Sequence, residues 1–165
     1  MSYYFRGTTE DMISGMFVDL DKAALGGPLA PDYVLRALSG LVGLYDREAE
    51  AGSEIPPDLE QRKKAFCARL MDFTLPLKTY TALVICLGEE NDPRHWYEMC
   101  IRRSVIQLLL DDASCSNVAE LINPSEVAEL DQLMRQMASE FEIELNELPP
   151  QGLPYSHWWW RLPDN

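Results

Sequence analysis

Apolar residues recur at helical spacing along almost the whole chain, and this periodicity predicts an all-α protein. Proline and glycine divide the pattern into segments, with starts near Thr8, Pro31, Pro56, Asp92 and Asn123. Each of these residue types either caps a helix or fits its first turn. The first segment shows the pattern clearly, with one apolar face made of Met12, Ile13, Met16, Phe17, Leu20 and Ala24. We therefore predict an irregular bundle of five to seven helices.

One segment, Leu75–Leu87, fits two secondary structures. It is apolar and contains β-branched residues, as a strand would, but Pro76 near its start and Gly88 after its end also fit a buried helix. We favour the helix because the chain has no second clear strand. A lone strand would leave its backbone hydrogen-bonding groups unsatisfied.

The chain ends in a tail that contains three consecutive tryptophans. Its 165 residues suit one helical domain, residues 1–165, on which residues 149–165 dock as an extended segment. In an extended chain Trp158 and Trp160 point one way and Trp159 the other. We expect this structural tail of Trp158, Trp159 and Trp160 to lie in a groove between helices, since each indole can bury about 200 Å². The alternative is that one tryptophan stays outside as a contact for a partner or another subunit.

The sequence contains no recognisable catalytic or metal-binding motif. His95 and His157 both lack a glutamate three residues earlier, and phosphate-binding glycine loops, GxSxG and HExxH are missing. Cys115 is the best lone nucleophile, but Asp111 and Asp112 beside it would disfavour its thiolate. We predict no catalytic residue, no cofactor and no metal, and hence a protein that is not an enzyme.

The cysteines bear on the cellular compartment. They are widely spaced without a CxxC pair, at Cys67, Cys86, Cys100 and Cys115. Such a pattern in apolar helices is typical of reduced thiols, and it predicts a cytoplasmic protein. A secreted protein with two disulfides remains the alternative.

The net charge is −13, from 27 acidic and 14 basic side chains. This charge opposes binding to nucleic acid and to anionic membranes. The most apolar stretch, Ala82–Leu87, is far shorter than the roughly 20 residues of a membrane span. We predict neither a nucleic-acid partner nor a membrane partner. The charge either favours a basic protein partner or serves solubility alone.

The acidic residues concentrate in residues 124–147, which hold seven acids against a single base, Arg135. If this segment is one helix, its buried stripe contains Val127, Leu130, Met134, Met137, Phe141 and Leu145. An apolar residue ringed by carboxylates is a plausible contact for a basic protein. The predicted partner-binding residues, all on one flank, are Glu126, Glu129, Leu133, Glu140, Glu144 and Glu147. The alternative is that Leu133 widens the core face and the acids keep the helix soluble.

This profile resembles that of small bacterial or phage proteins that neutralise another protein, such as immunity proteins and antitoxins. It is an analogy of type and not a shared motif. We hypothesise an acidic cytoplasmic inhibitor that occludes a basic partner, such as a toxin or effector. The alternatives are an adaptor or chaperone that binds an apolar peptide or helix in a groove, and an enzyme of unrecognised type. A homodimer is compatible with each of them.

Overall fold

The computed structural model describes residues 7–145 and 149–162, and within these ranges the secondary structure is helical with no strand. The prediction of an all-α fold is confirmed. Single 3₁₀ turns lie between several helices and at Trp158–Trp160. The α-helices are α1 Thr9–Ala24, α2 Ala30–Ala49, α3 Leu59–Leu70, α4 Thr74–Glu89, α5 Trp96–Asp111, the single-turn α6 Ser116–Ala119, and α7 Pro124–Glu140.

Local sequence signals account for where the helices begin. Thr8 caps α1: its Oγ1 accepts a hydrogen bond from the Asp11 backbone N–H at 3.1 Å, and its own N–H donates to Asp11 Oδ2 at 2.9 Å. The side chain of Asn123 caps α7 by accepting from the Ser125 N–H at 2.9 Å. Pro124 stands in the first turn of α7, where a missing N–H costs nothing.

The ambiguous segment Leu75–Leu87 lies within α4, so the helical prediction is confirmed. A 3₁₀ turn, Met71–Phe73, joins α3 to α4, and the two form a nearly continuous run from Leu59 to Glu89. Within the described ranges, this run is the one helix that is long and apolar enough to cross a membrane, judged by length and composition alone. Core helices of globular proteins meet the same criterion, so the expected absence of a membrane partner stays a prediction.

Close helix packing depends on glycine at two positions. A Cβ at Gly40 of α2 would overlap the side chain of Met16 in α1, which fits the helical hairpin that these two helices form. Gly88 of α4 makes room in the same way for Met99 and Leu133. The core runs through the bundle and includes Leu38, Phe66, Met99, Ile106 and Leu130.

Two of the four cysteines are joined. Cys67 of α3 and Cys115, in the turn after α5, form a disulfide with their Cα atoms 5.3 Å apart. The expectation that every thiol is reduced is therefore wrong for this pair. The sequence separation of 48 positions conceals the pairing in the sequence. Cys86 and Cys100 are free, the first exposed and the second buried. The cytoplasmic location stays a prediction.

Candidate protein-binding surface

Helix α7, which carries most of the predicted site, lies between α4 on one flank and α5 with the tail on the other. Its buried residues are Leu130, Met134 and Met137. On the α4 side, Leu133 packs on Gly88. On the α5 side, Asp131 forms an ion pair with Arg103.

The contact with Gly88 gives Leu133 a structural role. Leu133 is half-buried and packs against the core, and its Cδ2 would lie 2.5 Å from a Cβ added to Gly88. Its side chain thus fills the space that the glycine leaves open. This contact supports the alternative in which Leu133 widens the core face, and we exclude Leu133 from the surface described below.

Helix α7 ends earlier than the sequence pattern predicted. Its last residue is Glu140, and Phe141 is extended, with φ −118° and ψ 144°. Glu144 therefore does not lie on the helical flank with Glu126, Glu129 and Glu140, and that part of the prediction is wrong. The last turn contains no basic residue, and carboxylates there oppose the negative end of the helix dipole. Glu147 lies outside the described residues.

The segment after α7 presents its acids in another way. Phe141, Ile143 and Leu145 are half-buried against the core, while Glu142 and Glu144 between them are exposed. Side chains of an extended chain point alternately to opposite sides, which explains this pattern. Glu140, Glu142 and Glu144 therefore make up an exposed cluster, called here the acidic strip. The prediction missed Glu142 because it treated the segment as helix, although the alternation F-E-I-E-L is visible in the sequence.

Within the described ranges, no lysine or arginine pairs with a member of the acidic strip. Glu140 accepts a hydrogen bond from the neutral Gln136 side chain at 2.8 Å. The single base of α7, Arg135, points at the other flank, where its guanidinium lies 4.9 Å from the ring centre of Trp158. The carbonyl end of α7 adds its own partial negative charge. The strip is therefore a concentrated negative surface that no cation of the described part of the chain compensates.

The two remaining predicted acids differ in their surroundings. Glu129 is exposed on the α4-side flank of α7, where a partner can reach it. Glu126 is half-buried in the first turn of α7, and its Oε2 is buried without a hydrogen-bond partner among the residues that the structure describes. A carboxylate in the first turn is favoured by the positive end of the helix dipole. Glu126 therefore suits helix initiation better than partner binding.

The tryptophans of the tail do not alternate as predicted. Residues Trp158–Trp160 form one turn of 3₁₀ helix, which places them about 120° apart around its axis. Trp159 and Trp160 are both buried, at 1% and 3% exposure, and Trp158 is half-buried. The prediction that Trp158 and Trp160 share a side is wrong. The expected docking in a groove is observed.

A buried hydroxyl of α5 holds the tail. Ser104 Oγ accepts hydrogen bonds from the indole N–H groups of Trp159 and Trp160, at 3.0 and 2.9 Å, and lies 3.0 Å from His157 Nδ1. A serine hydroxyl has one proton to donate, so with two donors already bound it donates that proton to His157. We call Ser104, His157, Trp159 and Trp160 the tail lock.

This hydrogen bond requires a neutral His157 with an unprotonated Nδ1. Burial, reinforced by the positive charge of Arg103, lowers the pKa of His157 to about 4. A neighbouring serine and histidine can form a nucleophilic pair. Here both side chains have no exposed surface, and the indoles occupy the acceptor sites of the serine. The pair therefore anchors the tail.

Arg103 connects the tail lock to α7. Its guanidinium donates to both carboxylate oxygens of Asp131, at 2.7 and 3.1 Å, and lies 4.5 Å from the ring centre of Trp159. In the sequence Arg102 and Arg103 are simply two adjacent basic residues. In the structure Arg103 is buried, whereas Arg102 pairs with Glu98 one turn earlier.

Among the described residues, no group of three or more histidine, cysteine or acidic side chains is placed to hold a metal ion. Comparisons with protein-family models, curated proteins and solved structures find no match for this chain. The proposals below therefore rest on the contacts, charges and exposure of its own residues.

Proposed function

We propose that the protein binds a basic surface of another protein and blocks it by occlusion, as immunity proteins and antitoxins do. The observation that carries this proposal is the acidic strip, whose three carboxylates are exposed without a cation beside them in the described part of the chain. Glu129, on the adjoining helix flank, enlarges the negative surface. An external lysine or arginine gains the Coulomb attraction that no cation of residues 7–145 and 149–162 supplies.

Several acids in the N-terminal half of the chain are paired with a base. Arg62 contacts Glu10 at 2.7 Å, Arg47 contacts Glu50 at 2.7 Å, and Lys63 contacts Glu60 at 3.2 Å. These carboxylates are already neutralised, so a basic partner gains less from them. The acidic strip is therefore the better contact for a basic partner, although the whole chain is acidic.

The acidic strip also has a defined shape. Phe141, Ile143 and Leu145 pack against the core and hold the segment in its extended form. A partner then loses little affinity to the ordering of this segment. Occlusion by such a preformed surface needs no catalytic residue.

The proposal is tested with two variants of equal net charge. The first is Glu140→Gln/Glu142→Gln/Glu144→Gln, and the control is Glu10→Gln/Glu50→Gln/Glu60→Gln. The partner is captured from the native host with the wild-type chain, purified, and titrated against all three proteins by calorimetry. We expect the first variant to lose at least about tenfold in affinity, and the control to stay within about twofold.

Salt dependence separates this function from the adaptor alternative. Affinity for a basic partner falls as ionic strength rises, because mobile ions screen exposed charges. Affinity for an apolar peptide in a groove does not fall. Full binding by the strip variant, together with affinity that salt does not change, would contradict the proposed function and favour the adaptor.

A further inference from the structure

Helix α4 presents an uncovered apolar face on the side opposite its core contacts. Leu75 and Leu83 are 71% and 42% exposed, and Thr79 and Cys86 are exposed between and after them. The inner face of the same helix is buried through Leu77, Tyr80, Thr81, Val84 and Ile85. Only 33% of the most apolar window in the α3–α4 run is buried.

Two opposite charges border this apolar face. Lys78 and Glu89 are both exposed, and within the described residues neither forms an ion pair. They are 11 residues apart, which places them about 16 Å apart along the helix and within about 20° of each other around it. They therefore lie on the same flank of α4 and are too far apart to pair within one chain.

We propose that the α4 face binds a second copy of this chain, with the two α4 helices antiparallel about a two-fold axis between Leu83 and Val84. Antiparallel helices bring the same flank of each copy together. With the axis at this midpoint, Lys78 of each copy faces Glu89 of the other, so the charges pair twice. Leu83 meets its own counterpart at the centre, and Thr79 lies level with Gly88 of the other copy, beside its Leu87.

This geometry favours a second copy over other occupants of the face. A two-fold interface has to be self-complementary, and opposite charges equidistant from the midpoint between Leu83 and Val84 meet that requirement. A bilayer would place Lys78 and Glu89 in or beside the hydrocarbon without a partner. A single helix face is smaller than a standard interface, so we expect a weak dimer, with a dissociation constant on the order of 10 μM.

A charge swap tests the proposed pairing. Sedimentation equilibrium over a range of concentrations is measured for the wild type, Lys78→Glu, Glu89→Lys and the double variant Lys78→Glu/Glu89→Lys. Each single variant puts like charges opposite each other twice, and it should weaken the dimer at least about tenfold. The double variant should recover the wild-type dimer to within about threefold. Circular dichroism of each variant confirms its fold.

Two results would overturn the dimer. One is a wild-type chain that stays monomeric to about 1 mM, well above the expected dissociation constant. The other is a double variant that is no better than the single ones. Monomeric wild type that binds neutral phosphatidylcholine vesicles, and loses this binding in Leu83→Arg, would assign the face to a membrane instead.

Cysteine cross-linking provides an independent measurement. Cys86 is a free, exposed thiol close to the proposed axis, whereas the other free thiol of the described residues, Cys100, is buried. A short bis-maleimide should join two wild-type chains through Cys86. The control, Cys86→Ser/Gln61→Cys, carries its thiol on the exposed side of α3 and should give at least about tenfold less cross-linked dimer. Equal cross-linking of both proteins would count against the proposed axis.

Discussion

The polar groups of the tail lock and of the acidic strip have opposite environments. In the lock, one buried hydroxyl takes part in three hydrogen bonds, and the nearby charge of Arg103 is paired with Asp131. In the strip, three carboxylates face solvent without a cation beside them in the described ranges. Hydrogen-bonded polar groups among aromatic rings stabilise the fold, although Nε2 of His157 is buried without a partner among the described residues, whereas uncompensated charge costs stability and offers a contact. The comparison thus separates the part that holds the molecule together from the part proposed to bind.

The largest expected change in the free energy of unfolding comes from a substitution in the tail lock. Trp159→Ala removes a fully buried indole, and we expect it to lower the free energy of unfolding by about 3–5 kcal/mol. Urea denaturation measures the loss. Trp158→Ala, at the half-buried neighbour, is the control and should cost clearly less. Equal losses from both variants would mean that the lock is not where the tail is held.

Acid should weaken the lock through His157. The pKa of His157 is lowered from 6.5 to about 4 by burial and by Arg103, so the folded state favours the neutral ring. The stabilisation is present above pH 6.5 and is lost as the pH falls towards 4, with a total on the order of 2–3 kcal/mol.

Carboxylates titrate in the same pH range, so the readout is the difference between the wild type and His157→Gln. The free energy of unfolding of the wild type should approach that of the variant as the pH falls from 7 to 4. A difference that stays constant over this range would show that His157 does not change its protonation there.

Removing the hydroxyl at the centre of the tail lock should lower the free energy of unfolding by a smaller amount. Ser104→Ala leaves two buried indole N–H groups without their acceptor, and we expect a loss of roughly 2 kcal/mol. Ser39→Ala is the matched control, because the Ser39 hydroxyl donates within its own helix, to the Leu35 carbonyl at 3.1 Å. Thermal and urea unfolding of both variants measure the contrast. Losses of similar size would show that the lock depends on ring packing alone.

The smallest expected change in the free energy of unfolding comes from the acidic strip, and it is an increase. Glu140→Gln/Glu142→Gln/Glu144→Gln relieves repulsion at the negative end of α7, so it should raise the free energy of unfolding by a few tenths of a kcal/mol. The paired-acid variant Glu10→Gln/Glu50→Gln/Glu60→Gln should instead lower it, because each change removes an ion pair. Differential scanning calorimetry at low salt measures both. A strip variant that is less stable than the wild type would show that these acids serve the fold.

Local signals in the sequence predicted the helices well. Thr8, Asn123 and Pro124 are capping or first-turn residues, and each starts a helix where expected. The lack of a second clear strand in the sequence correctly predicted that α4 is a helix. These features depend on neighbours within about four residues, which a single sequence contains in full.

The sequence is less informative where contacts between distant residues determine the structure. Leu133 packs on Gly88, a residue in another helix, which favours the alternative that it widens the core face, and Cys67 pairs with a cysteine 48 positions away. The early end of α7 gave Glu144 a new environment and added Glu142 to the site. The tryptophans turn towards Ser104 because a 3₁₀ turn replaces the extended chain. The apolar periodicity of one segment does not predict its contacts with residues that are distant in the sequence.

The tail reaches residues that are far from it along the chain. The Gln151 N–H donates to Asp46 at 2.5 Å over 105 positions, and Trp159 reaches Ser104 over 55. Contacts between distant residues need large loops to close, so they tend to form late in folding, after the transition state. The tail lock should therefore mainly lower the unfolding rate and have little effect on the folding rate. Its weakening would shorten the lifetime of the native molecule even where the population at equilibrium hardly changes.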